Sequence, residues 1–376
     1  MKIKVLQISS AKYFGNKERH FVDLCRGLTE RGHEVFVVLR PTTEWQEKLD
    51  FLPPENIFHS SIRNAFGIFS AQKIANFVNR RDIDIVHAHI VRDYIPASLV
   101  SRISKKARFV LTRHFIFPMK PFHRFALGNL AGAIAASPSV EADLRNIFPK
   151  EKVKTILNGI NIKNLTDENR RKMREEFRFL HDIPFDAPVV GTIGELKEVK
   201  GQRDFVLAAN EIAKRNADVF FVVVGKDNTA NRSFRRELKR LVKVFDLENK
   251  FLWLDWIEDL QGVFVALDIY VSASHSEGFG LTILEAIANK TAVVATETEG
   301  ASELLRNNET GLLTPVREPL KLAAAIEDLL NDEARRAGFA EKAQVFAGQK
   351  FSLDEMIEKT EKLYQEILQK GGTQSA

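Results

Sequence analysis

The chain has 376 residues, of which 44% are hydrophobic and 28% are charged, and its net charge is +5. This composition excludes a largely disordered chain. The chain is also too long to fold around one ordinary hydrophobic core, so we expect two domains. No apolar run is long enough for a membrane-spanning helix. The single cysteine, Cys25, excludes an internal disulfide, and the N-terminal residues are typical of a strand rather than of a signal peptide, so we expect a cytoplasmic protein.

The first 165 residues alternate strand-like with helix-like segments. Helical spacing of apolar residues predicts a helix over Glu18–Arg31, and Ser137-Pro138 predicts the start of another that ends near Ile147. Short apolar runs predict strands over Ile3–Ile8, Val35–Leu39, Ile83–Ala88, Phe109–Thr112, Gly132–Ala136 and Val153–Leu157. Such alternation predicts a parallel sheet with helices on both faces, so residues 1–165 are assigned to one doubly wound domain.

The same pattern restarts after a charged helical connector, Asp167–Arg178. The first predicted strand of this half begins at Pro188, and four more are predicted at Val219–Val224, Phe251–Leu254, Asp268–Ala273 and Thr291–Ala295. Residues 166–350 are therefore predicted to form a second doubly wound domain. The terminal segment, 351–376, contains a helix over Leu353–Leu368 that we expect to cross back onto the first domain.

The basic residues are concentrated in one stretch, 101–124, which contains no acidic residue. Its basic residues are Arg102, Lys105, Lys106, Arg108, Arg113, Lys120 and Arg124, and the interleaved aromatic residues are Phe109, Phe115, Phe117 and Phe122. Such a pattern suits an anionic membrane surface or a phosphorylated acceptor, and nucleic acid is a third partner that we do not expect. The plain alternative is a solvated basic face over core phenylalanines.

The most informative segment is a glycine loop that follows the predicted strand Asp268–Ala273. The loop has the sequence Ser-His-Ser-Glu-Gly-Phe-Gly and leads directly into a short apolar helix, Leu281–Ala288. Gly278 and Gly280 allow backbone N–H groups to approach a ligand, and the helix start adds unpaired donors and a positive dipole end. This arrangement predicts a phosphate site.

Two carboxylates belong to this unit. Glu285 lies in a helix that is apolar on nearly every side, so it is predicted to be buried and to need a protein cation or a hydrogen-bonding ligand. Glu277 lies on the loop, eight residues earlier. A surface carboxylate or a structural ion pair would explain either residue alone, but two of them in one glycine-loop unit favour a ligand site.

With these residues the segment resembles the donor site of the family-4 type retaining glycosyltransferases, which have the GT-B architecture of two Rossmann-like domains facing a central cleft. The resemblance rests on Glu277 and Glu285 within Ser-Glu-Gly-Phe-Gly-Leu and Glu-Ala, followed by Glu299-Gly300-Ala301. It implies that Glu285 holds the ribose hydroxyls and that Glu277 contacts the donor sugar. It also implies a diphosphate site made by the Gly-x-Gly loop and its amides, at Gly278, Phe279, Gly280, Leu281 and Thr282.

The resemblance assigns a cation as well. Lys200, before Gly201, matches a family Lys-Gly after the first strand of the second domain and is expected to stabilise the departing diphosphate. The family usually has an Arg five or six residues earlier, where this chain has Gly194 and Glu195. The candidates to replace that Arg are Lys197 and Arg203.

Further site residues follow from the same resemblance. Family members usually have two glycines after the first strand, where this chain has Gly15 and Asn16, and Gly225 and Ile257 lie where the family holds the nucleobase. His114, at a strand end, matches a histidine near the donor sugar, and His89 is a weaker candidate. A histidine in a strand is otherwise a core residue more often than a catalytic one.

No metal and no cofactor are expected beyond the nucleoside-diphosphate sugar that serves as co-substrate. Asp82 and Asp84 have carboxylate-pair spacing but stand at the start of a strand, where capping explains them, and no Cys or His residues have metal-ligand spacing in the sequence. A dinucleotide-binding Gly-x-Gly-x-x-Gly is absent after both first strands, which argues against a dehydrogenase.

The predicted activity is retaining transfer of a sugar to a glycan, a lipopolysaccharide or a lipid-linked acceptor, in the cytoplasm or at the inner face of the membrane. Two alternatives remain open. One is a nucleotide-sugar epimerase or a sugar phosphorylase of the same fold, and the phosphorylase would need a pyridoxal-phosphate lysine. The other is a non-catalytic relative that binds a nucleotide sugar, which Asn16 and Glu195 keep open because they depart from the family pattern.

Overall fold

Two parallel sheets carry the fold in the computed structural model, which describes residues 1–62, 68–116, 119, 121–162, 165–255, 257 and 260–372. The chain divides into two compact units. The first unit consists of Met1–Gly159 together with the helix that begins at Leu353, and the second unit is Ile160–Ser352. Each unit contains one sheet, so the predicted α/β class with two doubly wound parallel sheets is confirmed.

The strands of the first unit are β1 (Lys4–Ser9), β2 (Glu34–Leu39), β3 (Ile57–His59), β4 (Ile85–Ala88), β5 (Arg108–Arg113), β6 (Leu130–Ala135) and β7 (Val153–Thr155). Those of the second unit are β8 (Val189–Ile193), β9 (Phe220–Val224), β10 (Phe251–Leu254), β11 (Ile269–Ser272), β12 (Ala292–Thr296) and β13 (Leu312–Thr314). The sheet orders are β3-β2-β1-β4-β5-β6-β7 and β10-β9-β8-β11-β12-β13, with parallel pairing throughout.

The helices of the first half are α1 (Asn16–Glu30), α2 (Ile68–Arg81), α3 (Val91–Ile103), α4 (Pro121–Ala126) and α5 (Pro138–Arg145). Those of the second half are α6 (Asp167–Leu180), α7 (Gln202–Ala213), α8 (Ser233–Val244), α9 (Gln261–Ala266), α10 (Leu281–Ala288), α11 (Glu299–Leu304), α12 (Pro319–Leu330), α13 (Glu333–Lys350) and α14 (Leu353–Gly372). Within the described ranges, no helix combines the length and the apolar character that crossing a bilayer requires.

The central strands are buried on both faces, which explains their nearly continuous apolar sequences. In β1, both Val5 and Leu6 are buried although their side chains point to opposite faces of the sheet. Separate apolar clusters cover the two faces, and Val5 and Leu6 belong to different clusters. In open α/β sheets ligands bind beyond the carboxyl ends of such strands, and the candidate sites lie there.

The terminal helix α14 packs on α1 and β6 of the first unit. Glycines make room for it, since a Cβ on Gly27 would lie 2.0 Å from Ile357 Cδ1 and a Cβ on Gly132 would lie 2.7 Å from Ile367 Cδ1. Tyr364, which is buried, accepts a hydrogen bond at its hydroxyl from Gln7 Nε2 at 3.2 Å. Helix α14 is therefore part of the first unit's core.

The connector helix α6 is anchored to the second sheet by arginines. Arg174 and Arg178 donate to the two carboxylate oxygens of Asp268, at 2.7 and 3.1 Å. Asp268 Oδ2 also accepts from the Val189 N–H at 2.8 Å. One carboxylate thus joins the connector to the starts of β8 and β11.

Candidate donor site

Two loops meet at the centre of the second sheet, after the neighbouring strands β8 and β11. The strand order changes direction between these strands, which is where ligands bind in open α/β sheets. Gly201 has φ +67°, and a Cβ there would lie 1.8 Å from the Ala273 carbonyl oxygen. His275 also links the two loops. Its backbone N–H donates to Val199 O at 2.8 Å, and its ring Nε2 lies 2.8 Å from Asp204 Oδ2.

Replacing Gly201 by Ala should destabilise the protein, because the new methyl group would meet backbone and because alanine rarely adopts a positive φ. Strain of this kind costs roughly 1–3 kcal/mol, and we expect at least that loss in the free energy of unfolding measured in urea. Gly338→Ala is the matched control, since Gly338 lies inside α13 with open space around a Cβ, and alanine there should be neutral or stabilising. Equal stability of the two variants would show that the two loops do not need this close approach.

Lys200 and Glu277 form an ion pair between these loops, with Lys200 Nζ donating to Glu277 Oε2. The hydroxyl of Ser274 donates to the same oxygen at 3.4 Å. Both charged side chains are partly accessible, at 23% and 17%, and both line a pocket. A ligand can therefore reach the ammonium and compete with Glu277 for it.

The remaining walls of this pocket come from β8, β11 and the starts of α7 and α10, and they combine the apolar side chains of Ile193 and Ile283 with several polar ones. They include Thr192, Gln202, Tyr270, Ser272 and Thr282. Thr282 is one of the residues that the resemblance assigned to the diphosphate, whereas the other four were not identified from the sequence, since each is an ordinary residue in a strand or at a helix start. A concave site of hydroxyl and amide groups beside one lysine is suited to a hydroxyl-rich anion.

The glycine loop enters α10 through Gly280, whose φ of +86° is the left-handed conformation that glycine adopts without strain. The loop is held from behind, because Gly300 N–H donates to Glu277 O at 2.9 Å and Phe279 is buried against Phe351. Gly300 must be small, since a Cβ there would lie 2.7 Å from the Phe279 carbonyl carbon. The helix start at Leu281 is thus fixed next to the pocket, as the predicted phosphate site requires.

Glu285 is buried in α10, with 6% of its surface exposed, among neighbours in the helix that are also buried. Its predicted burial is therefore confirmed. Its main-chain oxygen accepts from the side chain of Asn289 at 2.9 Å, which holds the end of the helix. Its contact with a ribose stays a prediction.

The two candidates to replace the family Arg have carboxylate partners. Lys197 lies 2.6 Å from Glu195, and Arg203 donates to Glu237 on α8. Burial raises the pKa of Glu195, but hydrogen bonds from Lys197 and from Asn228 outweigh it, so the pKa lies below its ordinary value. Of the three basic residues considered for the diphosphate, Lys200 lines the pocket, whereas Lys197 and Arg203 are not among its lining residues.

Gly225 and Ile257, assigned to the nucleobase, lie after β9 and β10. A Cβ on Gly225 would lie 1.8 Å from Gly194 O, so glycine is needed to pack these strand ends together. Arg235, which the sequence did not single out, is buried and donates to Gly225 O at 2.6 Å and to Leu254 O at 2.8 Å. Ile257 is half-buried, and the neighbouring Trp256 lies outside the described residues.

The other predicted site residues belong to the first unit. Gly15 precedes α1 with an extended backbone, φ −161°, so this position does not require glycine for its conformation. Asn16 is the first residue of α1, and its side chain lies outside the described part of the chain. His114 is buried after β5 beside His89, which follows β4, and beside His20 on α1, which the sequence reasoning missed.

Two family models match the amino-acid sequence, one in each half. Residues 17–164 match "Glycosyltransferase Family 4", and residues 173–346 match "Glycosyl transferases group 1". The lipopolysaccharide core biosynthesis glycosyltransferase LpsE of Rhizobium meliloti (strain 1021) is 24% identical over 328 residues, which is 87% of this chain and 89% of that protein.

Solved structures match along nearly the whole chain. A glycosyltransferase from Rickettsia africae ESF-5 has a TM-score of 0.83 at 25% identity, over 98% of this chain and 99% of that one. Anabaena Alr3699/HepE, solved with UDP and glucose, has a TM-score of 0.84 at 21% identity, over 97% of this chain and all of that one. At that identity, the likeness to HepE shows the fold alone. Together, the paired family models and the full-length structural match show that the chain belongs to the group 1 glycosyltransferases of the family-4 type, with the GT-B fold.

Proposed function

We propose that this glycosyltransferase moves a sugar from a nucleoside-diphosphate sugar to a glycan or lipid-linked acceptor of the cell envelope, with retention at the anomeric carbon. The observation that carries the proposal is the Lys200–Glu277 pair, which lines a pocket with several polar side chains beside the glycine-loop start of α10. The pair places a cation next to a hydrogen-bond acceptor. The cation suits a negatively charged leaving group, and the carboxylate suits a sugar hydroxyl.

The chemistry follows from where charge develops. When the bond between the anomeric carbon and the diphosphate oxygen breaks, negative charge grows on the diphosphate, and Lys200 and the amides at the start of α10 stabilise it. Glu277, released from Lys200, accepts a hydrogen bond from the sugar. The acceptor oxygen bonds to the anomeric carbon on the face that the diphosphate leaves, and its proton passes to a diphosphate oxygen. This scheme uses no carboxylate nucleophile and no metal at the diphosphate.

The relatives guide the choice of substrates. HepE was solved with UDP and glucose, so uridine donors are the first to test, and LpsE is named for lipopolysaccharide core biosynthesis, so a core oligosaccharide is the first acceptor. Transfer should release one nucleoside diphosphate for each glycoside formed, and the proton spectrum of the product should show the donor's anomeric configuration. An isomerised donor without release of nucleotide would identify an epimerase, and tight donor binding without any turnover would identify a non-catalytic relative.

We also propose that the chain binds anionic membranes through α4. Only part of the basic stretch lies on the surface, because Phe109 is in the core and Arg113 is buried, with its guanidinium 2.8 Å from the carboxylate of Asp143. Phe117 and Lys120 lie outside the described residues. Phe122 and Phe125, both on α4, are exposed at 47% and 79%. Arg102, on α3, donates to the Phe125 and Ala126 carbonyls and so adds positive charge beside this helix.

The Phe125→Ala variant should bind phosphatidylglycerol vesicles at least ten-fold more weakly than the wild-type chain, because burying a phenylalanine is worth roughly 1.5–3 kcal/mol. Flotation at low and high salt measures this, and binding of the wild-type chain should weaken with salt. Phe179→Ala is the control, since Phe179 is equally exposed, at 77%, but lies on α6. If the wild-type protein does not float with the vesicles, or if both variants lose vesicle binding equally, α4 does not mediate membrane binding.

A further inference from the structure

Three buried histidines of the first unit converge at the carboxyl end of its sheet. His20, His89 and His114 are 6%, 2% and 8% exposed, and one ring nitrogen from each lies within 4.8 Å of the others. The His20 and His114 ring centroids are 4.8 Å apart, and those of His20 and His89 are 5.7 Å apart. Nothing in the proposed transfer reaction accounts for His20.

Four nitrogens of these rings are buried without a hydrogen-bond partner: His20 Nδ1, His20 Nε2, His89 Nδ1 and His114 Nε2. A buried polar atom without a partner destabilises the fold, so a cluster of four calls for a ligand that satisfies several of them together. A metal ion does so, because it takes one lone pair from each ring.

His89 shows which nitrogen is available. Its Nε2 lies 2.7 Å from the amide oxygen of Gln7, which only accepts, so Nε2 carries the proton and Nδ1 presents its lone pair to the cluster. Gln7 is itself held by Tyr364, whose hydroxyl lies 2.6 Å from His87 Nδ1. Such an outer hydrogen bond is what orients a metal-ligating histidine.

The rings are also in the right protonation state. Burial lowers the pKa of His20 to about 4, and burial together with the neighbouring histidines holds the pKa of His89 and of His114 well below the ordinary value. Neutral imidazole is the form that binds metal, and imidazole suits Zn²⁺, Co²⁺, Ni²⁺ and Cu²⁺ rather than Mg²⁺ or Ca²⁺.

We propose that His20, His89 and His114 form a site for a divalent transition metal such as Zn²⁺, with water as the fourth ligand. Zn–N distances of about 2.0–2.1 Å place tetrahedral ligand nitrogens roughly 3.4 Å apart, so the rings must close inward by an amount on the order of 1 Å. The expectation from the sequence that no metal site exists relied on spacing along the chain, and these residues come together only through the fold. The proposal rests on the first unit alone and does not depend on the proposed function.

The test is a titration of chelator-treated protein with Co²⁺, which gives visible absorption bands when tetrahedrally bound. We expect one equivalent to bind the wild-type chain, Zn²⁺ to abolish the bands, and Zn²⁺ to raise the melting temperature. His20→Leu and His114→Leu should lose both responses. Gln7→Met should bind roughly 10–100-fold more weakly, because His89 loses its orienting partner. His59→Gln, which changes an exposed histidine of the same unit, should bind as the wild type does.

The metal-free variants show whether a loss of binding reflects the site or the fold. His20→Leu removes two unsatisfied buried nitrogens, so without metal its melting temperature should equal or exceed that of the wild type. Absence of the Co²⁺ bands in the wild-type protein, or bands that persist in both leucine variants, would overturn the proposal.

Discussion

A Lys200→Met variant should transfer sugar roughly 10²–10³-fold more slowly than the wild-type chain, the loss that follows removal of one preorganised donor to a developing negative charge. Lys200 lines the candidate donor pocket and is held by Glu277, whereas Lys197 and Arg203 pair with other carboxylates. Methionine keeps the apolar stem and removes the charge. Steady-state release of nucleoside diphosphate measures the effect, which should appear mainly in kcat because the charge that Lys200 meets grows in the transition state.

Lys214→Met is the matched control for this variant. Lys214 is an exposed lysine just after α7, paired with Glu211 at 2.6 Å, and an exposed pair of this kind contributes about 0–1 kcal/mol. Its turnover should therefore stay near the wild-type value. If Lys197→Met slows transfer and Lys200→Met does not, the cation that meets the diphosphate has been assigned to the wrong loop position.

Glu285→Gln should weaken binding of the cognate nucleoside diphosphate by roughly 10–150-fold, because hydrogen bonds to a charged group contribute about 1.5–3 kcal/mol. Glutamine preserves the volume that the packed helix α10 demands, so the change removes charge rather than shape. Isothermal titration of the nucleoside diphosphate gives the two dissociation constants.

Thermal melting separates a ligand-binding Glu285 from a structural one. Glu341→Gln, on the exposed surface of α13, is the control and should bind as the wild type does. If Glu285→Gln melts at a lower temperature but binds the nucleotide with wild-type affinity, Glu285 supports the helix and does not hold the donor.

The parts of the site that lie close together along the chain could be predicted from the sequence. The glycine loop and the apolar helix behind it are local patterns, and the burial of Glu285 follows from its neighbours in α10. Strands such as β1 and β2 were also predictable, because strands buried on both faces have continuous apolar sequences. The edge strands β3 and β13, of three residues each, were missed, although β7, which is equally short, was predicted.

Contacts between distant segments could not be predicted in the same way. The Lys200–Glu277 pair exists because β8 and β11 are neighbours in the sheet, and nothing in either loop specifies that order. The same reason explains why His20 was missed, since it meets His89 and His114 only where α1 passes the ends of β4 and β5. Local patterns thus identify the segments that carry a site, whereas sheet order decides which side chains meet.

The central claim is that the nucleotide sugar binds where the loops after β8 and β11 meet, and hydrogen–deuterium exchange of the intact chain tests it most directly. Backbone amides that bind the diphosphate should exchange more slowly when the cognate nucleoside diphosphate is added, with UDP tested first and GDP and ADP next. We expect that protection in peptides covering 277–285 and 197–202, with little change at the control segment 167–176 of α6, which contains no buried residue. If saturating nucleotide leaves exchange in 277–285 unchanged but protects another part of the second unit, the donor does not bind where these loops meet.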